Sequence, residues 1–128
     1  MTVTHLNPAS LPANPAFSHG TLLAPGGRLL VVGGQNGVTK DGLVGDDLGA
    51  QTRQALRNVL AVLAEAGAAQ PDVAKLTIHL VVGQDPAAAF AAAGEVWGHH
   101  ATAVTVLVVA ALANPAFLVE IDALAQVP

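Results

Sequence analysis

The amino-acid sequence predicts a single α+β domain that extends over residues 1–128. Two stretches carry apolar residues at three- and four-residue spacing, and each follows an aspartate that can cap a helix. Short runs that are apolar throughout, or alternate with polar residues, predict strands around these helices. The predicted order is β-β-α-β-α-β-β, without an internal repeat or a linker, so we expect one sheet with two helices.

The first third of the chain predicts an arm, two strands and a long loop. Residues 1–16 contain three prolines, which supply no backbone donor, so this N-terminal arm is expected to be extended or turn-like and to lie at an edge. A short strand is predicted at 17–23 and a buried strand, LLVVGG, at 29–34, with the turn APGGR between them. Residues 35–45 hold Asn-Gly and Asp-Gly pairs and are predicted to form a loop.

The two helices have the clearest start and stop signals. The first is expected to begin after Asp46 or Asp47, whose carboxylates can accept from free backbone N–H groups, and to end before Gly67. Its inward face is predicted to consist of Leu48, Thr52, Ala55, Leu56, Val59, Leu63 and Ala66. The second helix is predicted to run from Pro86, behind an aspartate cap, to about Trp97.

Strands are predicted in the second half of the chain at 73–82, 103–111 and 117–125. The strand at 103–111 is apolar on both faces. The strand at 117–125 has one apolar face, whereas Glu120 and Asp122 point to the other face. Since two helices can cover only one face of a sheet, the second apolar face needs another chain, and the pattern predicts a homo-oligomer.

Composition excludes several classes of protein. Hydrophobic residues make up 52% of the chain and charged residues 11%, with a net charge of −4. The five basic residues are scattered, which argues against a nucleic-acid surface. The longest apolar run is too short to cross a bilayer, and the start of the chain lacks the features of a signal peptide, so a cytoplasmic location is expected. Because the chain has no cysteine, disulfides and thiolate ligands are excluded.

Four segments together resemble the RidA/YjgF family, also labelled endoribonuclease L-PSP. They are GGQNG, the helix AQTRQALRNVLAVLAEAGA at 50–68, DVAKLTIHLV at 72–81 and LVEIDALA at 118–125. The resemblance covers about residues 14–126 and implies a chorismate-mutase-like fold, with two helices on one face of a mixed or antiparallel sheet. It also implies a homotrimer with small-molecule clefts between subunits. The activity implied is hydrolysis of enamine and imine intermediates to keto acids and ammonia, without a cofactor.

The resemblance also assigns site residues. The family's ligand-binding positions correspond to Phe17, Gly33, Gln35, Gly94, Val104 and Val106, and its carboxylate near the C-terminus corresponds to Glu120. Val104 stands where the family has an arginine that grips a substrate carboxylate through two parallel bonds. Valine offers no donor, so the usual activity of the family is in doubt, and we expect a less anionic ligand. Arg28 could serve as a substitute anchor.

Other readings of these residues remain open. Glu120 is a candidate general base that activates water, or else a strand carboxylate bonded to backbone or to the next subunit. The His99-His100 pair lacks the spacing of a metal site, so no metal is expected, and both are interpreted as solvated loop or cleft-edge histidines, either of which could reach the cleft as a cation. Phe90 and Trp97 are expected to pack in the core under the second helix. The function hypotheses are a diverged imine or enamine deaminase and a non-catalytic ligand-binding or interaction protein; the acidic, unclustered charge disfavours a ribonuclease.

Overall fold

The computed structural model describes residues 3–128, so the first two positions of the predicted arm lie outside the described residues. In chain order, the elements are β1 (Val3–Leu6), β2 (Gly20–Leu23), β3 (Arg28–Asn36), α1 (Leu48–Glu65), a 3₁₀ turn (Gln70–Asp72), β4 (Val73–Val81), α2 (Pro86–Trp97), β5 (Ala103–Val109) and β6 (Val119–Val127). The two predicted helices and the strands between them confirm the α+β class.

The main sheet is mixed, with the strand order β3-β6-β4-β5. β6 pairs antiparallel with both β3 and β4, whereas β4 and β5 are parallel. A parallel pair needs a crossover, and α2 supplies it. β1 and β2 form a separate antiparallel ribbon.

The core lies between α1 and one face of the sheet. The buried residues of α1 are Leu48, Gln51, Thr52, Ala55, Leu56, Val59 and Leu63, which confirms most of the predicted inward face. They pack on buried residues of β6, including Val119 and Ile121. Gln51 is the unforeseen member: its amide bonds to Gly45 O, Ala116 O and Leu118 N, so one buried side chain fastens two loops to the helix.

Both helix caps behave as the sequence predicts. Of the two candidates at the start of α1, Asp47 is the cap, and its Oδ1 accepts from Ala50 N at 2.8 Å. Asp85 caps α2 and accepts from Ala87 N at 3.0 Å. Gly67 has a φ of 77°, the left-handed conformation that ends α1 without strain.

Two predictions for the first third of the chain are incomplete or wrong. Residues 3–6 of the arm are extended, as expected, but they form a paired strand, β1, because the ribbon with β2 gives them a partner that no local pattern indicates. The predicted buried strand at 29–34 continues to Asn36, and its outward residues Leu29 and Val31 are 62% and 66% exposed. They lie on the sheet face that no helix covers.

We call this helix-free side of the sheet the open face. Residues that pair across strands point to the same face, so Val31 shares it with Leu124. Glu120 and Asp122 lie on the same face, opposite His79 and Thr77 of β4. The open face is therefore a mixture of exposed aliphatic side chains, two carboxylates and a histidine. Within residues 3–128, neither helix is long and apolar enough to cross a membrane.

Candidate ligand-binding site

A pocket of about 260 Å³ lies between α2 and the strands β4 and β5. We call it the α2–β5 pocket. It is lined by Phe17, Gly94, Val104 and Val106, so four of the residues assigned from the resemblance lie together. Whether they bind a ligand stays a prediction, but their convergence in one concave apolar site is the geometry that ligand binding needs.

The pocket follows from strand register on one side and helical spacing on the other. In the parallel pair, Leu76 lies beside Val104 and Ile78 beside Val106, which gives an aliphatic floor. The α2 residues in the lining are Phe90, Ala93, Gly94 and Trp97, at the three- and four-residue steps of one helix face. Trp97 is buried as expected, but Phe90 is 68% exposed, so its expected place in the core is wrong. It stands at the rim of the pocket, with most of its ring exposed.

The third wall comes from the segment that precedes β2 and is fixed by Ser18. Ser18 N donates to Thr102 O at 3.0 Å, and its hydroxyl donates to Ala101 O at 2.6 Å. A serine hydroxyl has one proton. Because that proton is used, the contact of 3.1 Å between Ser18 Oγ and His5 Nδ1 requires His5 Nδ1 to be the donor. This chain of bonds holds Phe17 at the pocket.

His100 is the distinctive polar residue of the lining. Its Nε2 is buried and has no hydrogen-bond partner within residues 3–128. The ring lies 5.2 Å from that of His5 and 6.4 Å from that of Trp97, centroid to centroid, and Trp97 Nε1 donates to His100 O at 3.0 Å. Burial, and next the neighbouring His5, lower the pKa of His100 below its ordinary value. Both effects favour the neutral ring.

Within residues 3–128, no Lys, Arg, Asp or Glu lines the α2–β5 pocket. Arg53 is engaged with Glu95 of α2 at 3.3 Å. Arg28 begins β3, which is three strands away from β5, about 14 Å at the usual strand spacing. Within one chain it cannot replace the arginine for which Val104 stands. Lys75 borders a second depression of about 560 Å³, together with Thr105 and Leu124.

Glu120 lies apart from the pocket, beside a β-bulge in β3. Val32 is opposite Ala123 and Gln35 is opposite Ile121, so β3 carries one extra residue here. A Cβ on Gly34 would lie 2.7 Å from Glu120 Cδ, so glycine is what lets the carboxylate sit against the strand. Gln35 Nε2 donates to Gly33 O at 3.1 Å. Gly33, Gln35 and Glu120 thus lie outside the lining of the pocket.

The structure adds His100, Leu76 and Ile78 to the site that the sequence suggested. The signal for the two aliphatic residues is the alternation of β4, but it becomes informative only once β4 and β5 are known to be parallel neighbours. His100 was one of two histidines expected in the loop or at the edge of the cleft, and the structure places both in the lining. Within the described residues, no group of three or more His, Cys, Asp or Glu side chains is arranged to hold a metal ion.

The chain belongs to the family described as Endoribonuclease L-PSP, whose sequence pattern matches residues 8–127. This confirms the resemblance to the RidA/YjgF family. No curated protein matches the sequence.

Solved structures of the same family resemble the whole chain. YyfB from Yersinia pestis, described as a protein of unknown function of the conserved Rid protein family, is 35% identical with a TM-score of 0.87, over 99% of this chain and 100% of that one. Rv2704 from Mycobacterium tuberculosis, of the YjgF/YER057c/UK114 family, is 28% identical with a TM-score of 0.65, over 98% and 99% of the two chains. E. coli TdcF with bound serine is 25% identical with a TM-score of 0.72, over 91% of each chain.

Proposed function

We propose that this protein is a diverged hydrolase that deaminates enamine, imine or related carbonyl metabolites in clefts between the subunits of a homotrimer. The observation that carries the proposal is the division of the expected site into two groups. Phe17, Gly94, Val104 and Val106 line the α2–β5 pocket, whereas Glu120 lies beside the β3 bulge outside it. The pocket of a single chain is therefore lined by no carboxylate within the described residues, and a second copy can supply one.

The open face supports the trimer part of the proposal. It exposes Leu29 and Val31 of β3 beside Leu124 of β6. An apolar sheet face of this kind is normally covered by another element or another chain. Packing open faces around a common axis would bury these side chains and place Glu120 at a boundary between subunits.

The chemistry requires only water as co-reactant and no cofactor. Water adds to the carbon of the C=N bond while the Glu120 carboxylate accepts a proton from it, and the nitrogen gains a proton. The C–N bond of the resulting carbinolamine then breaks, ammonia leaves and the carbonyl product forms. An enamine first takes up a proton at carbon to become the imine. Cytoplasmic metabolites of this type are the expected substrates, and nucleic acid is not.

A second candidate function is ligand binding without catalysis. It is favoured by the absence of any Asp, Glu, Lys or Arg from the pocket lining within the described residues. The bound serine in E. coli TdcF shows that a protein of this fold can hold a small amino acid. In this chain the family's arginine position is Val104, so such an anionic ligand would lack its anchor.

The test is hydrolysis of two imines that differ in charge. The imine of 2-oxobutanoate and the imine of its methyl ester are generated in situ, and release of the carbonyl product is followed with a verified trimer. We expect the neutral ester imine to be hydrolysed at least about tenfold faster than the anionic one, because Val104 supplies no counter-charge. Val104→Arg should reverse this preference.

The variant Glu120→Gln tests the general base. Loss of a general base lowers the rate by about a hundredfold or more, so hydrolysis should fall to near the spontaneous rate. Asp122→Asn is the matched control on the same strand face and should retain the activity. Unchanged hydrolysis by Glu120→Gln would refute its role, and no hydrolysis of either imine by the native trimer would leave the binding function in its place.

A further inference from the structure

We propose that the α2–β5 pocket takes a neutral, mainly apolar small molecule that carries one hydrogen-bonding group, and that His100 Nε2 is the partner of that group. The inference rests on the proposed function in one respect, that this pocket is the ligand site. It adds the chemical class of the ligand and a binding residue that the resemblance does not assign.

The apolar character follows from the lining. Leu56, Leu76 and Ile78 form the inner surface, and the aromatic rings of Phe17 and Trp97 face the same space. Within the described residues, the polar side chains of the lining are those of His99 and His100. Most of the surface of a bound molecule would therefore contact carbon atoms, and burial of its apolar area would supply most of the binding free energy.

The hydrogen-bonding group follows from His100. A buried ring nitrogen without a partner is destabilising, and natural proteins leave few such atoms unpaired. His100 Nε2 is buried and unpaired although Ser18, His5 and Trp97 nearby all make hydrogen bonds. The side chain of His100 lines the pocket, so a rotation of its ring that turns Nε2 toward the pocket would let a polar group of a ligand satisfy this atom.

The neutrality of the expected ligand follows from the charges of the side chains that line the pocket. An anion that enters an apolar pocket without a counter-charge loses its hydration, at a cost of several kcal/mol or more. Within residues 3–128, no lysine or arginine lines the pocket, and burial together with His5 lowers the pKa of His100, so this ring does not supply a positive charge at pH 7. A carboxylate is thus disfavoured, whereas an amide, ester, ketone or imine of similar shape is not.

Three probes of nearly the same size separate these points: benzamide, benzoate and ethylbenzene. Benzamide is neutral and can both donate and accept, so it suits either tautomer of His100. Benzoate has the same shape with a negative charge, and ethylbenzene lacks a hydrogen-bonding group. Trp97 is the single tryptophan of the chain and lines the pocket, so its fluorescence reports binding at this site.

Titration of the native trimer at about pH 8 should give an affinity for benzamide at least about tenfold above that for benzoate. In His100→Phe, the affinity for benzamide should fall about tenfold while that for ethylbenzene is kept, as expected for the loss of one buried hydrogen bond. His99→Phe alters the exposed neighbour in the same lining and should leave the ratio of the benzamide affinity to the ethylbenzene affinity unchanged. His100→Gln keeps a hydrogen-bonding group and should retain part of the benzamide affinity, which serves if His100→Phe does not fold.

Three results would each overturn the inference. Benzoate could bind as tightly as benzamide, the two histidine variants could have equal effects on the probe affinities, or no probe could bind. Hydrolysis separates this outcome from failure of the proposed function. Benzamide preference without imine hydrolysis leaves the ligand class standing and removes the catalytic role. Imine hydrolysis with benzoate preference leaves the catalytic role and removes the ligand class.

Discussion

At the scale of single residues, His100 links the pocket wall to the stability of the fold. Its backbone carbonyl accepts the indole N–H of Trp97, while its ring lies between the rings of His5 and Trp97. The rings that face it are thus those of another histidine and of Trp97, and neither supplies a negative charge, while burial and His5 lower the pKa of His100. Protonation of His100 is therefore opposed by the folded structure and not by the unfolded chain.

This gives a pH dependence with a definite sign. The pKa of His100 in the folded protein is lowered from 6.5, so between the two pKa values the unfolded state binds more protons. The free energy of unfolding should therefore fall as the pH drops below about 6.5. Urea unfolding of native protein and His100→Phe across this range measures the effect, which should be smaller in the variant. Equal pH slopes in the two proteins would contradict it, and His99→Phe should keep the native slope.

Single residues also show how much of the site can be predicted from the sequence. The assignments of Phe17, Gly94, Val104 and Val106 placed four residues in one pocket, because a family motif carries its position in the fold with it. A place for His100 at the edge of the cleft was considered from the sequence, but its unpaired Nε2 was not, since only the packing of the ring reveals it. The wrong expectation for Phe90 has the opposite origin: helical spacing indicates a face but not how much covers it.

At the scale of elements, the bulge in β3 sets the position of Glu120. Gly33 and Gly34 are both outside the left-handed region, so backbone conformation does not require glycine at either position. What distinguishes them is space: a Cβ on Gly33 meets nothing within 4 Å, whereas one on Gly34 meets the Glu120 side chain at 2.7 Å.

Alanine at these two positions tests the contact. Gly33→Ala should leave the free energy of unfolding unchanged or raise it by up to about 1 kcal/mol, because alanine restricts the unfolded chain. Gly34→Ala should lower it by about 1 kcal/mol, since the Glu120 side chain must move. In a Glu120→Ala background that penalty should disappear, which a double-mutant cycle from urea unfolding measures. The same penalty in both backgrounds would show that Glu120 is not the obstacle.

The helices in the middle of the chain were predicted more accurately than the strands near its start. The helices α1 and α2 carry their own caps and periodic faces, so local sequence was sufficient. β1 has no such signal, because it depends on pairing with β2 across the arm between them. The continuation of β3 through its glycines was missed for a related reason: Gly-Gly is usually a turn signal, and here the pairing with β6 makes it a bulge.

At the scale of the whole molecule, the open face predicts association. Val31 is 66% exposed, so a charged residue there disturbs little within one subunit. In the proposed trimer the same charge would be buried among aliphatic side chains, which is strongly unfavourable. Val31→Asp should therefore yield folded monomers by sedimentation or light scattering.

Leu43→Asp is the matched control for that change. Leu43 is 68% exposed but lies in the loop before α1 and not on the sheet, so this variant should remain trimeric. A Val31→Asp protein that remains trimeric, or a native protein that is monomeric at micromolar concentration, would refute the assembly through the open face.

The position of β6 in the sheet has a consequence for folding during translation. β6 follows every other described strand in the chain, yet it lies between β3 and β4 and pairs with both. While the ribosome is still adding residues 119–127, β3 has no neighbour and the core face of α1 has no complete sheet to cover. The helices can form during translation, but the sheet can close only after β6 has emerged from the exit tunnel. Until then the nascent chain exposes its apolar strands, and we expect chaperones that shield such segments to bind it.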